Sequence, residues 1–400
     1  MPAPHVAILF DQFGPYHVAR LQGASTFLNA TGVEIASESS EYDWSRVEDA
    51  KTFDRVTLFP DVGTDQLDAV SIANEVIRFL ERVHPDTVAI PGWSHPGSIG
   101  ALQWCMSTDT SVIMMSESTE HDFDRVWWKE FPKRRLLAQC GAALVGGNAH
   151  RRYLSRLGMP SERVFLGYDV VDNEHFADGA AYARRNADAM RSKFDLPRHY
   201  FLASNRFIPK KNLPFLIEAF AEYRRKASKD EAWDLVLLGD GPERPAIEST
   251  IDSLDLDHHV HLPGFRQYDD LPAYYGLAGA FVHVSTREQW GLVVNEAMAS
   301  GLPALVSTPC GCAEDLIVDG ENGYTFDPTH MDALVNHLHQ MGHGSYDIAK
   351  MGSRSVELIA AWGKKRFGKG IQNATEVAIN STAPKKSFID NFLMNTLLRR

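Results

Sequence analysis

The sequence predicts an α/β fold built twice, as two doubly wound parallel sheets joined by a helical connector. Three observations carry this. Short apolar, β-branched runs alternate with helix-length stretches from His5 to Tyr168; the alternation lapses over residues 169–198; and it restarts at Tyr200. Strands that alternate with helices make parallel sheets, because each parallel neighbour needs a crossover connection. The chain has 400 residues and 44% hydrophobic content, enough for two separate cores.

In the first domain, expected over residues 1–170, HVAILF (5–10) is a strand broken by Gly14 and Pro15, and a helix follows from about Tyr16. RVTLF (55–59), DTVAIPG (86–92), SVIMMSES (111–118), AALVGG (142–147) and RVFLGY (163–168) continue the strands. Helices are expected between them, over residues 65–83 and 96–106. Residues 171–198 read as a polar helical connector.

The second domain, residues 199–365, repeats the pattern with strands at 200–207, 233–241, 259–265 and 280–286. The last stretch, 366–400, is helical and lies outside the alternation. There Phe388, Ile389, Phe392, Leu393 and Leu397 recur on one helical face, so the tail is expected to bury an apolar stripe.

Composition excludes some functions. A net charge of −12 argues against a nucleic-acid partner, which would want a basic stripe. Four cysteines are too few and scattered for a disulfide framework, and Cys310-Gly-Cys312 reads as a pair of buried reduced thiols. No secretion signal and no run of 18 apolar residues is legible, which points to a cytoplasmic protein.

The chemistry concentrates in EQWGLVVNEAMASGLPALVST (288–308). A buried strand ends in a loop carrying Glu288, and Gly291 opens an apolar helix. The free amides of Gly291, Leu292 and Val293, with the helix dipole, suit a phosphate. Glu296, inside that helix, is placed to accept hydrogen bonds from vicinal hydroxyls such as a ribose offers, while Glu288 faces the group beyond the phosphate. Two glutamates alone are usually solvated, but a glutamate within so apolar a helix needs a partner.

A second constellation is SNRFIPKKNL (204–213), where Arg206 and Lys211 leave a strand end. A planar fork and a point charge suit a leaving diphosphate. Gly239 and Gly241 make a glycine-rich turn at the next strand end, and Gly14 does so after the first strand, where a diphosphate or sugar could approach closely.

With these motifs in hand, the chain resembles the retaining glycosyltransferases of family 4. The resemblance covers essentially residues 200–330, and more loosely the part before. Arg-x4-Lys, Gly-Asp-Gly-Pro, EQWGLVVNE, MASGLPALVS and DGENGYTFDP stand in the family's order and spacing. It implies the GT-B architecture, in which two Rossmann-like domains face each other across a cleft and the C-terminal helix returns to the N-terminal domain. It implies transfer from a nucleotide sugar with retention of configuration; we expect the donor to be a UDP or GDP sugar, and no protein-bound cofactor. Arg206 and Lys211 would hold the diphosphate, Glu296 the ribose and Glu288 the sugar. Where the family often has a histidine after the fifth strand, this chain has Ser116, Glu117 and Ser118, and His121 comes late, so either Glu117 takes over that sugar contact or the histidine's role is dispensable here. The acceptor, a lipid, glycan or small-molecule hydroxyl, is left open.

No Asp-x-Asp cluster stands at a strand end; Asp269-Asp270 reads as a helix cap, so no metal is expected in catalysis. Competing readings are a catalytically silent sugar-nucleotide-binding or scaffold protein with the same fold, and a sugar epimerase. Finally, RVWWKEFPKRR mixes Trp127, Trp128 and Phe131 with Arg125, Lys129, Lys133, Arg134 and Arg135. It reads as a peripheral contact with anionic lipid at the inner face of a membrane, as a seat for a charged acceptor, or as a helix whose aromatics lie in the core.

Overall fold

The structure, a computed structural model, describes residues 3–38, 53–123, 125–228, 232–381 and 387–399. The chain divides into two compact units, Met1–Val171 with Gly363–Arg400, and Asp172–Trp362.

The first unit holds strands β1 (His5–Phe10), β2 (Asn29–Glu38), β3 (Asp54–Gly63), β4 (Thr87–Pro91), β5 (Ser111–Ser116), β6 (Ala142–Val145) and β7 (Val164–Leu166). Between them run α1 (Pro15–Ser25), α2 (Ala69–Val83), α3 (Pro96–Thr108), α4 (Trp127–Leu137) and α5 (Asn148–Leu157). The sheet order is β3-β2-β1-β4-β5-β6-β7, and each pairing is parallel. Apolar side chains fill both faces, which is why β1 and β5 read as continuous apolar runs rather than alternating ones.

β2 is the strand that the pattern did not disclose. Its sequence, NATGVEIASE, interrupts the apolar run with Glu34, which is fully buried. The carboxylate is satisfied by Arg55 Nη2 at 2.8 Å, Thr57 Oγ1 at 2.6 Å and the Phe13 amide at 2.9 Å. α2 starts at Ala69 rather than Asp65, because Asp68 accepts hydrogen bonds from the Val70 and Ser71 amides and caps it.

The second unit begins with α6 (Asn173–Arg185) and α7 (Ala187–Phe194), which occupy the stretch expected as a connector. α6 packs into this unit: Phe176 is buried, and His175 stacks on Tyr268 at 4.2 Å. Strands β8 (Tyr200–Ser204), β9 (Asp234–Leu238), β10 (Val260–Gly264), β11 (Ala280–His283), β12 (Ala304–Ser307) and β13 (Gly323–Phe326) follow. They alternate with α8 (Leu213–Lys226), α9 (Arg244–Ser253), α10 (Leu271–Leu277), α11 (Leu292–Ala299), α12 (Ala313–Leu316), α13 (Met331–Gly342) and α14 (Ile348–Ile359). The order is β10-β9-β8-β11-β12-β13, again parallel. In both sheets the winding reverses, between β1 and β4 and between β8 and β11. Loops at the carboxyl ends diverge at such switch points and leave room for a ligand.

The tail forms α15 (Lys364–Ile379) and α16 (Phe388–Leu397), both in the first unit. Phe367, Ile371 and Ala374 of α15 enter the core against α1 and the sheet, as a returning C-terminal helix should. α16 departs from expectation. Met394 is buried and Leu393 and Leu397 pack beside it, but Phe388, Ile389 and Phe392 stay in solvent. Asp390 sets this rotation, because its buried carboxylate takes Arg135 Nε at 2.8 Å and Gln139 Nε2 at 3.2 Å.

Candidate functional site

In the second unit the loops leaving β8 and β11 lie side by side at the switch point. The Thr286 amide donates to the Lys210 carbonyl at 2.9 Å, which laces them together. A 3-10 turn over Pro209–Lys211 then brings the Lys211 ammonium onto Glu288 Oε2, while Lys210 stands 3.9 Å from Oε1. From below, His283 at the end of β11 directs Nε2 towards the same carboxylate at 3.6 Å, and Ser285 Oγ lies 3.4 Å from it.

These neighbours set its charge. Burial opposes ionisation of Glu288, but the His283 hydrogen bond and the positive charge of Lys211 and Lys210 outweigh it and hold the carboxyl well below its ordinary range. Burial lowers the pKa of His283 itself, against the pull of Glu288.

The following loop is pinned from the other side. Gly311 donates its amide to the Glu288 carbonyl at 3.0 Å, and Trp290, buried against Trp362, donates Nε1–H to Asn295 Oδ1 at 2.8 Å. Gly291 takes φ +101° to turn the chain into α11, a conformation that a side chain would strain. A Cβ on Gly291 would lie 3.5 Å from Glu288 Cγ, so the amino terminus of α11, with the Leu292 and Val293 amides, starts beside that glutamate. Glu296 is 1% exposed, and its Oε2 accepts from Tyr275 Oη at 2.6 Å.

Arg206 lies on the β8 loop, exposed to solvent. Gly239 fixes that loop from behind: with φ +117°, a Cβ on it would come 1.8 Å from the Asn205 carbonyl oxygen. Gly241 is held likewise against the Phe207 backbone, so this turn packs on the Arg206 loop. Asp270 stands at the cap position of α10, but its side chain makes no cap hydrogen bond and instead lies 3.7 Å from Lys193.

The remaining candidates belong to the first unit. Gly14 precedes α1 and donates its amide to His17 Nδ1 at 3.1 Å. Glu117 follows β5 and sits 3.9 Å from the buried Arg20, which also bonds Asp169 Oδ1 at 3.0 Å. Burial and the Glu117 charge push the Asp169 pKa up, against Arg20. At this unit's own switch point His95 Nδ1 accepts the Gly97 amide at 3.1 Å, which leaves the ring proton on Nε2, 2.5 Å from Asp11 Oδ1. Sequence reasoning did not find His283, Tyr275, Arg20, Asp169 or this Asp11–His95 pair. Among the described residues no three His, Cys, Asp or Glu side chains gather as metal ligands, and all four cysteines are buried and free.

Comparison with known proteins agrees with this architecture. The family model described as glycosyl transferases group 1 matches residues 185–355. A GDP-mannose-dependent alpha-(1-6)-phosphatidylinositol monomannoside mannosyltransferase of Mycolicibacterium smegmatis is 32% identical over 316 residues, covering 64% of this chain and 80% of that protein. The chain belongs to the glycosyl transferases group 1 family. The alpha-monoglucosyldiacylglycerol synthase of Acholeplasma laidlawii is 29% identical over 161 residues, covering 40% of this chain and 39% of its own length. Other curated relatives are spanned over 24% and 54% of theirs. Among solved structures, Anabaena HepE in complex with UDP-glucose superposes with a TM-score of 0.69 at 16% identity, over 92% of this chain and 98% of that one. The group 1 assignment and the two parallel sheets agree with the GT-B fold expected from the resemblance.

Proposed function

We propose that this group 1 chain is a hexosyltransferase that moves a sugar from a UDP or GDP sugar to an acceptor hydroxyl, with retention of configuration and without a metal. The observation that carries the reading is the Lys211–Glu288 ion pair at the β8/β11 switch point, beside the amino terminus of α11. Lys211, Arg206 and the α11 amides supply positive charge for the diphosphate. The bond between the sugar's anomeric carbon and the phosphate oxygen breaks with its electron pair passing to the diphosphate. The acceptor oxygen bonds that carbon from the same face, and its proton passes to the departing phosphate oxygen. Glu288, ionised and buried, is suited to accept hydroxyls of the transferred sugar once Lys211 turns to phosphate. Glu296 is suited to the ribose; Glu117, which belongs to the first unit, stays the candidate that the family resemblance offers in place of a histidine. The names of the mannosyltransferase and glucolipid synthase relatives agree with a lipid, glycan or small-molecule acceptor. Incubation with UDP and GDP sugars, followed by detection of free UDP or GDP and the anomeric configuration of the product by NMR, tests the reading; an inverted product would contradict it.

A further inference from the structure

The segment rich in tryptophan and cations lies on α4, and the structure separates its two ingredients. Its cations are partly spent within the fold. Lys133 binds Glu130 and the Tyr153 hydroxyl, each at 2.9 Å, Arg135 binds Asp390, and Arg125 lies 3.5 Å from Glu130. Its aromatics are not: Trp127 is 76% exposed and Trp128 58%, with Phe131 beside them. The core reading of these rings therefore fails.

α16 adjoins α4. The Arg135–Asp390 bond and the Gln139–Asp390 bond clamp the two helices, and that clamp turns Phe388, 85% exposed, and Phe392, 65% exposed, outward. The exposed residues of the two helices are then Trp127, Trp128, Lys129, Phe131 and Arg134 on α4, and Phe388, Ile389, Asn391, Phe392 and Asn395 on α16. None is a carboxylate, in a chain with 52 acidic residues and a net charge of −12. Exposed aromatic surface of this kind marks a binding face. Tryptophan and phenylalanine beside lysine and arginine, with the two carboxylates of these helices, Glu130 and Asp390, paired to Lys133 and Arg135, match the boundary between headgroups and acyl chains of an anionic bilayer.

We propose that α4 and α16 together form one docking surface for an anionic membrane, with the Arg135–Asp390 clamp as the element that aligns the two helices. The aromatic side chains enter the headgroup layer, and Lys129 and Arg134 meet lipid phosphates. The role of α16 distinguishes this surface from a single amphipathic helix. It rests on unit 1 alone and stands or falls separately from the donor chemistry.

The test uses the full chain and vesicles of phosphatidylcholine, with and without half phosphatidylglycerol. The wild type should float with the anionic vesicles and show a blue shift of tryptophan fluorescence, and it should bind phosphatidylcholine alone at least about tenfold more weakly. The doubles Trp127→Ser with Trp128→Ser, and Phe388→Ser with Phe392→Ser, should each lose about tenfold or more in partitioning. Their melting temperatures should match the wild type, because these rings are in solvent. Wild-type protein that stays off anionic vesicles overturns the proposal, as does an α16 double that binds like the wild type. A concentration-dependent dimer that dissociates in both doubles, with no vesicle binding, would assign the face to a second copy of the chain instead.

Discussion

Lys211 and Glu288 form an ion pair across the point where the second sheet reverses its winding, and His283 stands beneath the carboxylate at 3.6 Å. The pair stores a cation and an anion where a nucleotide sugar would need both. Replacing Lys211 or Arg206 by alanine should lower turnover on the order of a hundredfold, with binding affected less than rate. Nucleotide release measured with and without excess EDTA checks this; activity that vanishes with EDTA and returns with magnesium would sink the assignment of the two cations as the leaving-group clamp.

Glu296 should matter for the nucleotide. Glu296→Gln keeps the shape and removes the charge, and it should weaken nucleotide binding by about 1.5–3 kcal/mol, as for hydrogen bonds to a charged group. Calorimetry measures it. Tyr275→Phe should cost about 1–3 kcal/mol of stability instead, because it removes a donor from a buried carboxylate. Unchanged affinity in Glu296→Gln would remove the ribose role.

Gly239 is a test of how the Arg206 loop is held. Gly239→Ala sets a Cβ 1.8 Å from the Asn205 carbonyl at φ +117°, so the β8 loop must shift or the protein loses on the order of 1–3 kcal/mol of stability. Thermal unfolding and turnover should both fall; a variant with wild-type values in each would show that the turn does not brace Arg206.

Two histidines give a pH signature. Burial, then the charge of Arg20, brings His17 from its ordinary 6.5 down to about 3, and burial lowers His283 as well. The folded protein thus binds fewer protons than the unfolded chain below the unfolded value. The stability these groups contribute is complete above about pH 6.5 and is lost as pH falls from there, for His17 down to about 3. Glu288, held low, adds a loss that begins only below its ordinary 4.5. Melting temperature should fall between pH 7 and pH 5, and less steeply in His17→Gln. An identical slope in that variant would show that His17 does not carry the effect.

Much of the fold was legible because a parallel sheet buried on both faces writes itself as apolar runs, as in β1, β5 and β8. β2 was hidden by Glu34, whose acceptability depends on Arg55 and Thr57 of the neighbouring strand. The positions of Arg206, Lys211 and Glu288 in the loops at strand ends, and of Glu296 inside the helix that follows, were legible from motif and spacing. Tyr275 and His283 were not, since nothing in α10 or β11 taken alone says that their side chains meet glutamates of the next loop and helix. The outward rings of α16 were misjudged for the same reason: the helical face depends on an anchor, Asp390, whose partner Arg135 lies 255 residues earlier.

The most direct test of glycosyl transfer is release of free nucleotide from a panel of UDP and GDP sugars in the presence of EDTA, for the wild type and Lys211→Ala side by side. The account predicts that at least one donor is turned over by the wild type and that Lys211→Ala, still folded by its circular dichroism spectrum at the assay temperature, turns it over on the order of a hundredfold more slowly. Equal rates in the two proteins, or binding of a sugar nucleotide without any release across the panel, would contradict it.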